Sequence, residues 1–535
     1  MNAIATISML HESAAHNSAT RVFRDQLVLE WTLERTHAAR GLAGICVVCF
    51  DDQLEAINRA IDDQATAHSV GPRRSIATVD SITAARRWSD GWRGGLLNST
   101  EFDLGFDGRM LEALAASRQA DAVVLIDPAA GMIDPQLLTH LLSHAAAQVD
   151  IEFAFLPAAP GFGAMLIRTA LLARLAGGNL TPGRLLSYQP DAPMRDPLGA
   201  ASCAQVPLAV ARTLGRFKLD SQSQIDRCAR AWSGLNGQLI ETSAERLIAL
   251  AGAGEVGALP RDVVVELTTT RATVAIFSAC RDPRVARAAM TLDTAQSIFE
   301  QMATRDDARI TFAGVGDPML HPHFDQIIVA AKSVGAAVHV ETDLLPDDPA
   351  SIDRLAASGI DVLSVHLPAM TPATYAAVMG VDALPAVIDN VKLFLTARAR
   401  LGSATPILAP TFVKTKVNLA EMETWYDQWL RAVGTAVIAA PSSFGGAIED
   451  VSVGDMSPPA RVPCRRLADR MTILADGAVV SCEEDVLGRN VMGNIAERSI
   501  AEIWRGSLGR LRVLHADRQW HACALCKDCR EWHRP

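Results

Sequence analysis

The sequence predicts an α/β protein built in three blocks, and three observations predict it. Apolar runs of strand length alternate with segments of helical period through most of the chain. A small-residue stretch, Ala249-Leu-Ala-Gly-Ala-Gly-Glu-Val-Gly-Ala-Leu-Pro260, interrupts that alternation near the middle. Five of the ten cysteines crowd into positions 464–529. Domain ranges of 1–245, 258–455 and 460–535 follow from these breaks. At 535 residues the chain is also too long for one core.

In the first block, Ile45–Phe50, Ala122–Ile126 and Ile151–Leu156 read as strands, and Leu27–Ala39 and Pro135–Gln148 as helices. The second block is more regular. Candidate strands are Val263–Leu267, Arg309–Phe312, Ala337–Glu341, Asp361–Val365, Pro406–Phe412 and Ala436–Ala439. Helical patterns separate them at Leu292–Ala303, Phe324–Val334, Ile352–Ser358, Leu384–Arg398 and Leu419–Leu430. Roughly six βα units of this kind make a parallel sheet or partial (β/α)6 barrel. Ligands of such sheets bind at the C-terminal strand ends.

In the third block, Cys464 and Cys482 flank a hairpin-like segment that turns at Asp476-Gly477. Cys523, Cys526 and Cys529 follow as two overlapping C-x2-C steps. A C-x2-C step presents two thiolates to one metal, and two pairs make a four-sulfur site. Spacing alone leaves zinc and an iron–sulfur cluster both open.

Composition is that of an ordinary globular protein, 49% hydrophobic and 21% charged. A net charge of −10 and a pI near 5.7 give no basic footprint for nucleic acid. No apolar run approaches the roughly 18 residues a membrane helix needs. The opening MNAIATISMLHESAAHNS has neither the basic start nor the long apolar core of a signal peptide. The expected compartment is the cytoplasm, with no nucleic-acid or membrane partner. In a reducing compartment, clustered cysteines point to metal ligation.

The tail carries a specific resemblance. CRRLADRMTILADGAVVSCEEDVLGRNVMGNIAERSIAEIWRG, from Cys464, and the later CKDCREW resemble the SPASM domain attached to many radical-SAM enzymes. The shared features are a DG turn, GNI, S-I-x-E-I-W and a closing C-x2-C-x2-W. That resemblance implies an auxiliary [4Fe–4S] cluster on Cys464, Cys482, Cys526 and Cys529, with Cys523 as the spare. The family pattern has more cysteines and two clusters, and this chain fills one.

The middle block resembles the radical-SAM domain in three segments. ITFAGVGDPMLHPHF (310–324) is similar to the motif that holds the amino group of S-adenosylmethionine, with Asp317 for the usual Glu. The resemblance gives cofactor contacts to Gly314, Gly316, Asp317 and Pro318. GIDVLSVHLPAMTPATYAAVMGVDALPAVIDNVKLF (359–394) is similar to the next segment and places Ser364 near the cofactor. TFVKTKVNLAEM (411–422) resembles the fifth-strand segment, with Asn418 and Glu421.

The family's C-x3-C-x2-C is missing. Its ligand positions, counted from Glu266-Leu-Thr-Thr-Thr-Arg271, fall on Ala272, Ile276 and Ala279, and Cys280 is off register by one. Apolar side chains do not ligate iron. The core cluster, and with it radical cleavage of S-adenosylmethionine, is therefore not expected, and the loop is expected to pack as core. The family's T-N-G reads Thr342-Asp343-Leu344, a second departure.

DAVVLIDPAAGMIDPQLLTHLL (121–142) and FKLDSQSQIDRC (217–228) resemble GT-A-like nucleotidyltransferases, the cytidylyltransferase relatives. There Asp127 and Asp220 would hold a divalent metal bridging the phosphates of a nucleotide, work for hard oxygen ligands. The Gly-rich turn and Lys expected near residues 6–30 are absent, though Arg21 remains. A degenerate nucleotide-binding or scaffolding domain is the expectation. The three-part order is similar to that of the spiro-SPASM family.

Three functions stay open. One is a radical-SAM/SPASM superfamily protein with a single tail cluster. Another is a non-catalytic electron-transfer or partner protein, met by a redox or enzyme partner. The third is a nucleotide- or sugar-modifying enzyme acting through the first block. The substrate class, small molecule, nucleotide sugar or peptide, is not fixed by sequence. Cys46-x2-Cys49 reads as core packing, His321 and His323 as loop positioning. His515, His521 and His533 lie near the tail cysteines and are able to replace a thiolate.

Overall fold

The computed structural model describes residues 1–178, 180–192, 196–235, 239–251 and 257–534. Two compact units divide the chain, Met1–Glu255 and Val256–Pro535. The expected boundary at 249–260 falls partly on residues 252–256, outside the described residues.

The first unit contains β1 (Ala3–Ser8), β2 (Val22–Phe23), β3 (Gln26–Leu27), β4 (Leu42–Cys49), β5 (Thr66–Ser69), β6 (Ala122–Ile126), β7 (Phe153–Phe155) and β8 (Met165–Arg168). Strands β2 and β3 form a separate ribbon. The others make one sheet in the order β5-β4-β1-β6-β8-β7. Its first four strands are parallel, β8 runs antiparallel to β6, and β7 antiparallel to β8.

Every residue of β1 and β6 is buried, as expected of parallel strands covered on both faces. Strand alternation sends Ile4, Val48 and Val123 into one core and Ala5, Val47 and Val124 into the other. Cys46 and Cys49 are both buried, but in these two different cores, which confirms packing and rules out a shared site.

The second unit contains β9 (Asp262–Val265), β10 (Arg309–Phe312), β11 (Ala337–Thr342), β12 (Val362–His366), β13 (Ile407–Val413), β14 (Val437–Ala439), β15 (Arg470–Ile473), β16 (Ala478–Val480) and β17 (Val491–Asn494). Strands β9 to β14 pair in parallel and in chain order. Helices Leu292–Met302, Phe324–Ser333, Ser351–Ala357, Leu384–Arg400 and Met422–Val433 lie in the connections. This is the expected run of six βα units.

One feature departs from three separate blocks. Strand β15 pairs with β9 in parallel, from Arg470 opposite Asp262 to Ile473 opposite Val265. It then turns at Asp476-Gly477, with Gly477 at φ +80°, into antiparallel β16 and β17. The ranges 258–455 and 460–535 therefore share one nine-stranded sheet and one core, which joins Val263 and Phe312 to Ile473, Trp504 and Cys526. The physical reason is the edge: the first strand of a partial barrel presents unpaired backbone groups, and the tail strand satisfies them. No helix among the described residues is long and apolar enough to cross a membrane.

A proline in β15 tests this shared sheet, because it removes a ladder donor between two partner strands. Thr472→Pro is expected to destabilise all of residues 257–534 by about 3 kcal/mol or more. Unfolding followed by hydrogen exchange should show β9 and β10 losing protection together with the tail. Protection lost in the tail alone would contradict the shared core.

Candidate functional site

The hairpin brings the tail cysteines together. Cys464 precedes the short helix Arg466–Asp469 that leads into β15, and Cys482 lies just past β16, close enough for the two thiols to act on each other. Cys523, Cys526 and Cys529 sit on and around the short helix Ala524–Lys527. Their thiols act on one another. Burial pushes the Cys482 thiol well up, and Glu484 and Cys464 add to it. Cys526 is pushed up by its hydrogen bond with Cys523, by burial and by Cys482 and Cys529. The same bond lowers Cys523 to about 6. Burial raises Cys529, with Glu484 and Cys464 adding.

Thiols that resist ionising in one another's company suit a polycationic group that stabilises thiolates. Cys464 N–H donates to His515 Nδ1 at 3.3 Å, which leaves the ring proton on Nε2. That atom is buried and has no partner among the described residues. Arg466 lies 2.9 Å from Glu483 and 2.8 Å from Glu484, tying the stretch after Cys482 to the stretch after Cys464. His521 is exposed and His533 half-buried. Among the described residues, no three His, Cys, Asp or Glu side chains close to single-ion distance. The gathered thiols suit an iron–sulfur group, and Cys523 is hydrogen-bonded to Cys526.

At the barrel's strand ends, the loop 268–280 packs as core only in part. Ala275, Phe277 and Ala279 are buried, Ile276 half-buried and Ala272 exposed, so the three family ligand positions differ in their environment. Val274 and Ile276 donate to the carbonyls of Met379 and Val378 at 2.9 Å, docking the loop on the end of the helix Pro372–Met379. Cys280 Sγ turns back to Thr273 O at 3.8 Å. These residues do not fit a core cluster.

Charged side chains occupy the neighbourhood instead. Arg271 bonds both oxygens of Asp343, whose carboxylate also meets Thr273 Oγ1 at 2.6 Å and His366 Nδ1 at 3.1 Å. Burial alone would raise Asp343, but Arg271 and His366 hold it well below the usual carboxylate range. Asp317 accepts from Thr342 Oγ1 and Asp343 N–H, both at 2.8 Å, and burial raises its carboxyl. Gly316 is required by close approach, since a Cβ there would stand 2.2 Å from Thr268 O. Gly314, at φ +143°, lies against Glu266, and Pro318 opens a buried turn. Ser364 Oγ meets His339 Nε2 at 2.8 Å.

The remaining family positions hold loops. Asn418 bridges Thr415, Val413 and Pro368, while Glu421 accepts from Met370 N–H and caps Thr371 and Thr374. His321 Nε2 reaches Met290 O at 2.8 Å, which is loop positioning.

In the first unit, a small cleft opens at the ends of β1 and β6, lined by Ser8, Glu101, Gly105, Asp127, Gly161 and Gly163. Asp127, on the cleft wall, and Asp220 are brought together by Lys218, which the sequence alone did not mark. Lys218 Nζ bonds Asp127 Oδ2 and stands 3.9 Å from Asp220 Oδ2. Arg216 takes the same oxygen of Asp220. With both carboxylates held by cations, the pair does not fit a divalent metal. Arg21 lies 3.9 Å from Glu12, a buried carboxyl on which Asp127 also acts. Burial raises Glu12 and Glu101 to about 7 and lowers His11 to about 4. Glu101 Oε1 is buried with no partner among the described residues.

Comparison with known proteins assigns the tail. Residues 464–530 match SPASM, an iron–sulfur cluster-binding domain. An uncharacterized protein of Treponema pallidum is 27% identical over 244 residues, 42% of this chain and 65% of the relative. A tungsten-containing aldehyde ferredoxin oxidoreductase cofactor-modifying protein of Pyrococcus furiosus is 23% identical over 239 residues, 36% of this chain and 66% of the relative. The chain thus spans just under two thirds of each. Among solved structures, Streptococcus suis SuiB bound to precursor peptide SuiA covers 68% of this chain and 84% of its own, at 14% identity and TM-score 0.43. A cytidylyltransferase from Leptospira borgpetersenii covers 46% and 92%, at 13% and 0.32. Both scores are below one half, so the architecture rests on the strand orders above.

The cleft carboxyls give the first unit a pH dependence. A carboxyl raised from 4.5 to about 7 binds more protons folded than unfolded. Its stabilising effect is full below about pH 4.5 and is lost as pH rises through about 7. Within that window each such group costs up to about 1.4 kcal/mol per pH unit. Glu101→Gln is expected to flatten the fall in melting temperature between pH 5 and pH 8. An unchanged slope in the variant would show that Glu101 is not the titrating group.

Proposed function

We propose that this is a cytoplasmic radical-SAM/SPASM superfamily protein that carries one [4Fe–4S] cluster in its tail and serves as an electron carrier or partner protein rather than starting radicals. The observation that carries the reading is the contrast between its two candidate iron sites. The tail gathers thiols; the strand-end loop offers Ala272, Ile276 and Ala279 and buries its polar capacity in the Arg271–Asp343 pair. Cys464, Cys482, Cys526 and Cys529 would hold the cluster, which supplies one-electron transfer when bound. Arg466, held by Glu483 and Glu484, fixes the segments that present the first two thiols, and His515 braces the backbone at Cys464.

S-adenosylmethionine binding is a separate question from its cleavage. SuiB has been crystallised with S-adenosylmethionine, and the Pyrococcus relative is named as a cofactor-modifying protein. In this chain the Asp317 carboxylate is engaged by Thr342 and Asp343 and the Ser364 hydroxyl by His339, which leaves mainly backbone groups at Gly314–Pro318 for the ligand. Weak binding without cleavage is the reading these contacts support.

Anaerobically purified protein is expected to hold close to one four-iron cluster by iron and sulfide analysis. Cys464→Ala and Cys526→Ala should each abolish it, and Cys280→Ala should leave it intact. Iron retained in both of the first two variants would remove the assignment of ligands.

Reduced, cluster-loaded protein incubated with S-adenosylmethionine is expected to form no 5′-deoxyadenosine. Sustained formation that disappears in Gly316→Ala or Asp317→Asn would overturn the electron-carrier reading, and would mean that the strand-end loop finds iron ligands elsewhere.

A further inference from the structure

The paired carboxylates of the first unit are already supplied with a cation by the chain itself. Residues 216–220 run extended: Phe217 N–H donates to Pro160 O at 2.8 Å and Leu219 N–H to Ala129 O at 2.9 Å. Phe217 and Leu219 are buried in the core. Alternation then turns Arg216, Lys218 and Asp220 to the other side, towards Asp127. The Lys218 side chain is only 5% exposed and that of Asp127 7%. Both Asp127 oxygens are occupied, Oδ1 by Ala129 N–H at 2.9 Å and Oδ2 by Lys218.

We propose that the Lys218 ammonium is the resident cation of this site, standing where the resemblance to nucleotidyltransferases puts a divalent metal, so that the first unit neither binds nor needs one. Two carboxylates, Asp127 and Asp220, face two fixed cations, Lys218 and Arg216, with His11 3.9 Å from Asp127 and Glu101 also acting on Lys218. A divalent ion entering here would meet a buried ammonium at close range in a medium that screens poorly. Expelling the ammonium would leave a buried lysine without a partner, which is costly. The chemistry also differs in kind. An ammonium offers N–H donors and a single fixed charge, whereas a metal offers open coordination positions that bridge two phosphates.

The test is manganese binding by the full cluster-loaded chain, followed as free Mn2+ by electron paramagnetic resonance. The unaltered chain is expected to bind none that depends on Asp127. Lys218→Met keeps the aliphatic stem and removes the charge; it should acquire one site, with affinity raised at least about tenfold. Lys218→Gln offers the same gain if the methionine variant does not fold, and Lys218→Arg should bind none. Asp127→Asn placed on Lys218→Met should abolish the new site. One Mn2+ bound by the unaltered chain and lost in Asp127→Asn would overturn the proposal. So would folded Lys218→Met and Lys218→Gln proteins that acquire no manganese.

Discussion

Strand β9 is the element on which the second unit depends, because it is paired on both edges. One edge joins it to β10 and the run of βα units, the other to β15 and the tail hairpin. Immediately after it comes Glu266, a buried carboxylate with three tasks. It accepts the Val315 N–H at 3.1 Å, the Ala475 N–H at 3.3 Å and Arg287 Nη1 at 3.1 Å. Burial raises its carboxyl, and those three donors oppose the rise. The glycine loop and the turn of the tail hairpin are therefore tied to the same side chain. Backbone pairing and this carboxylate place the tail thiols in a body whose main core belongs to the barrel.

That coupling changes how the bare loop at 268–280 is understood. A strand-end loop without metal ligands still has backbone donors and a cavity mouth to satisfy. Here the loop docks on the end of a helix through Val274 and Ile276, and Arg271 reaches the fully buried Asp343. A buried carboxylate is tolerated only when paired and hydrogen-bonded. Arg271, Thr273 and His366 supply those bonds, and Asp343 in turn donates its N–H to Asp317. The two departures from the radical-SAM pattern, at Ala272 and at Asp343, are thus neighbours in space. Arg271 is the side chain that makes them one feature.

Local order decided what the sequence disclosed. The βα alternation, the DG hairpin and the C-x2-C steps each depend on residues close in the chain, and each was legible from period or spacing alone. The same holds for Ala279, whose apolar character announced a packed loop. Pairing of β15 with β9 joins residues some two hundred positions apart, and nothing in RMTI names its partner. Lys218 is 91 positions from Asp127 and Arg271 is 72 from Asp343, beyond the reach of any periodic signal. A clue to Lys218 was present all the same. In RFKLD, apolar Phe217 and Leu219 alternate with charged Arg216, Lys218 and Asp220, and a strand-like alternation of that kind puts the three charges on one face.

A common rule then describes the places where a metal was expected. At Asp127 and Asp220 the charge is met by Lys218 and Arg216; beside Ala272, Ile276 and Ala279 the strand ends hold the Arg271–Asp343 pair. Both substitutions use fixed nitrogen cations, which neutralise carboxylates but offer no coordination position and no redox couple. The tail is different in kind. Its polar partners, Arg466 with Glu483 and Glu484, are satisfied by one another, while burial and neighbouring groups raise the thiols of Cys482, Cys526 and Cys529, which suits a thiophilic group. Thiols gather in the tail, and the carboxylates of the other two places are closed by side chains. The division of charge along the chain therefore points to the tail as the place where iron chemistry resides.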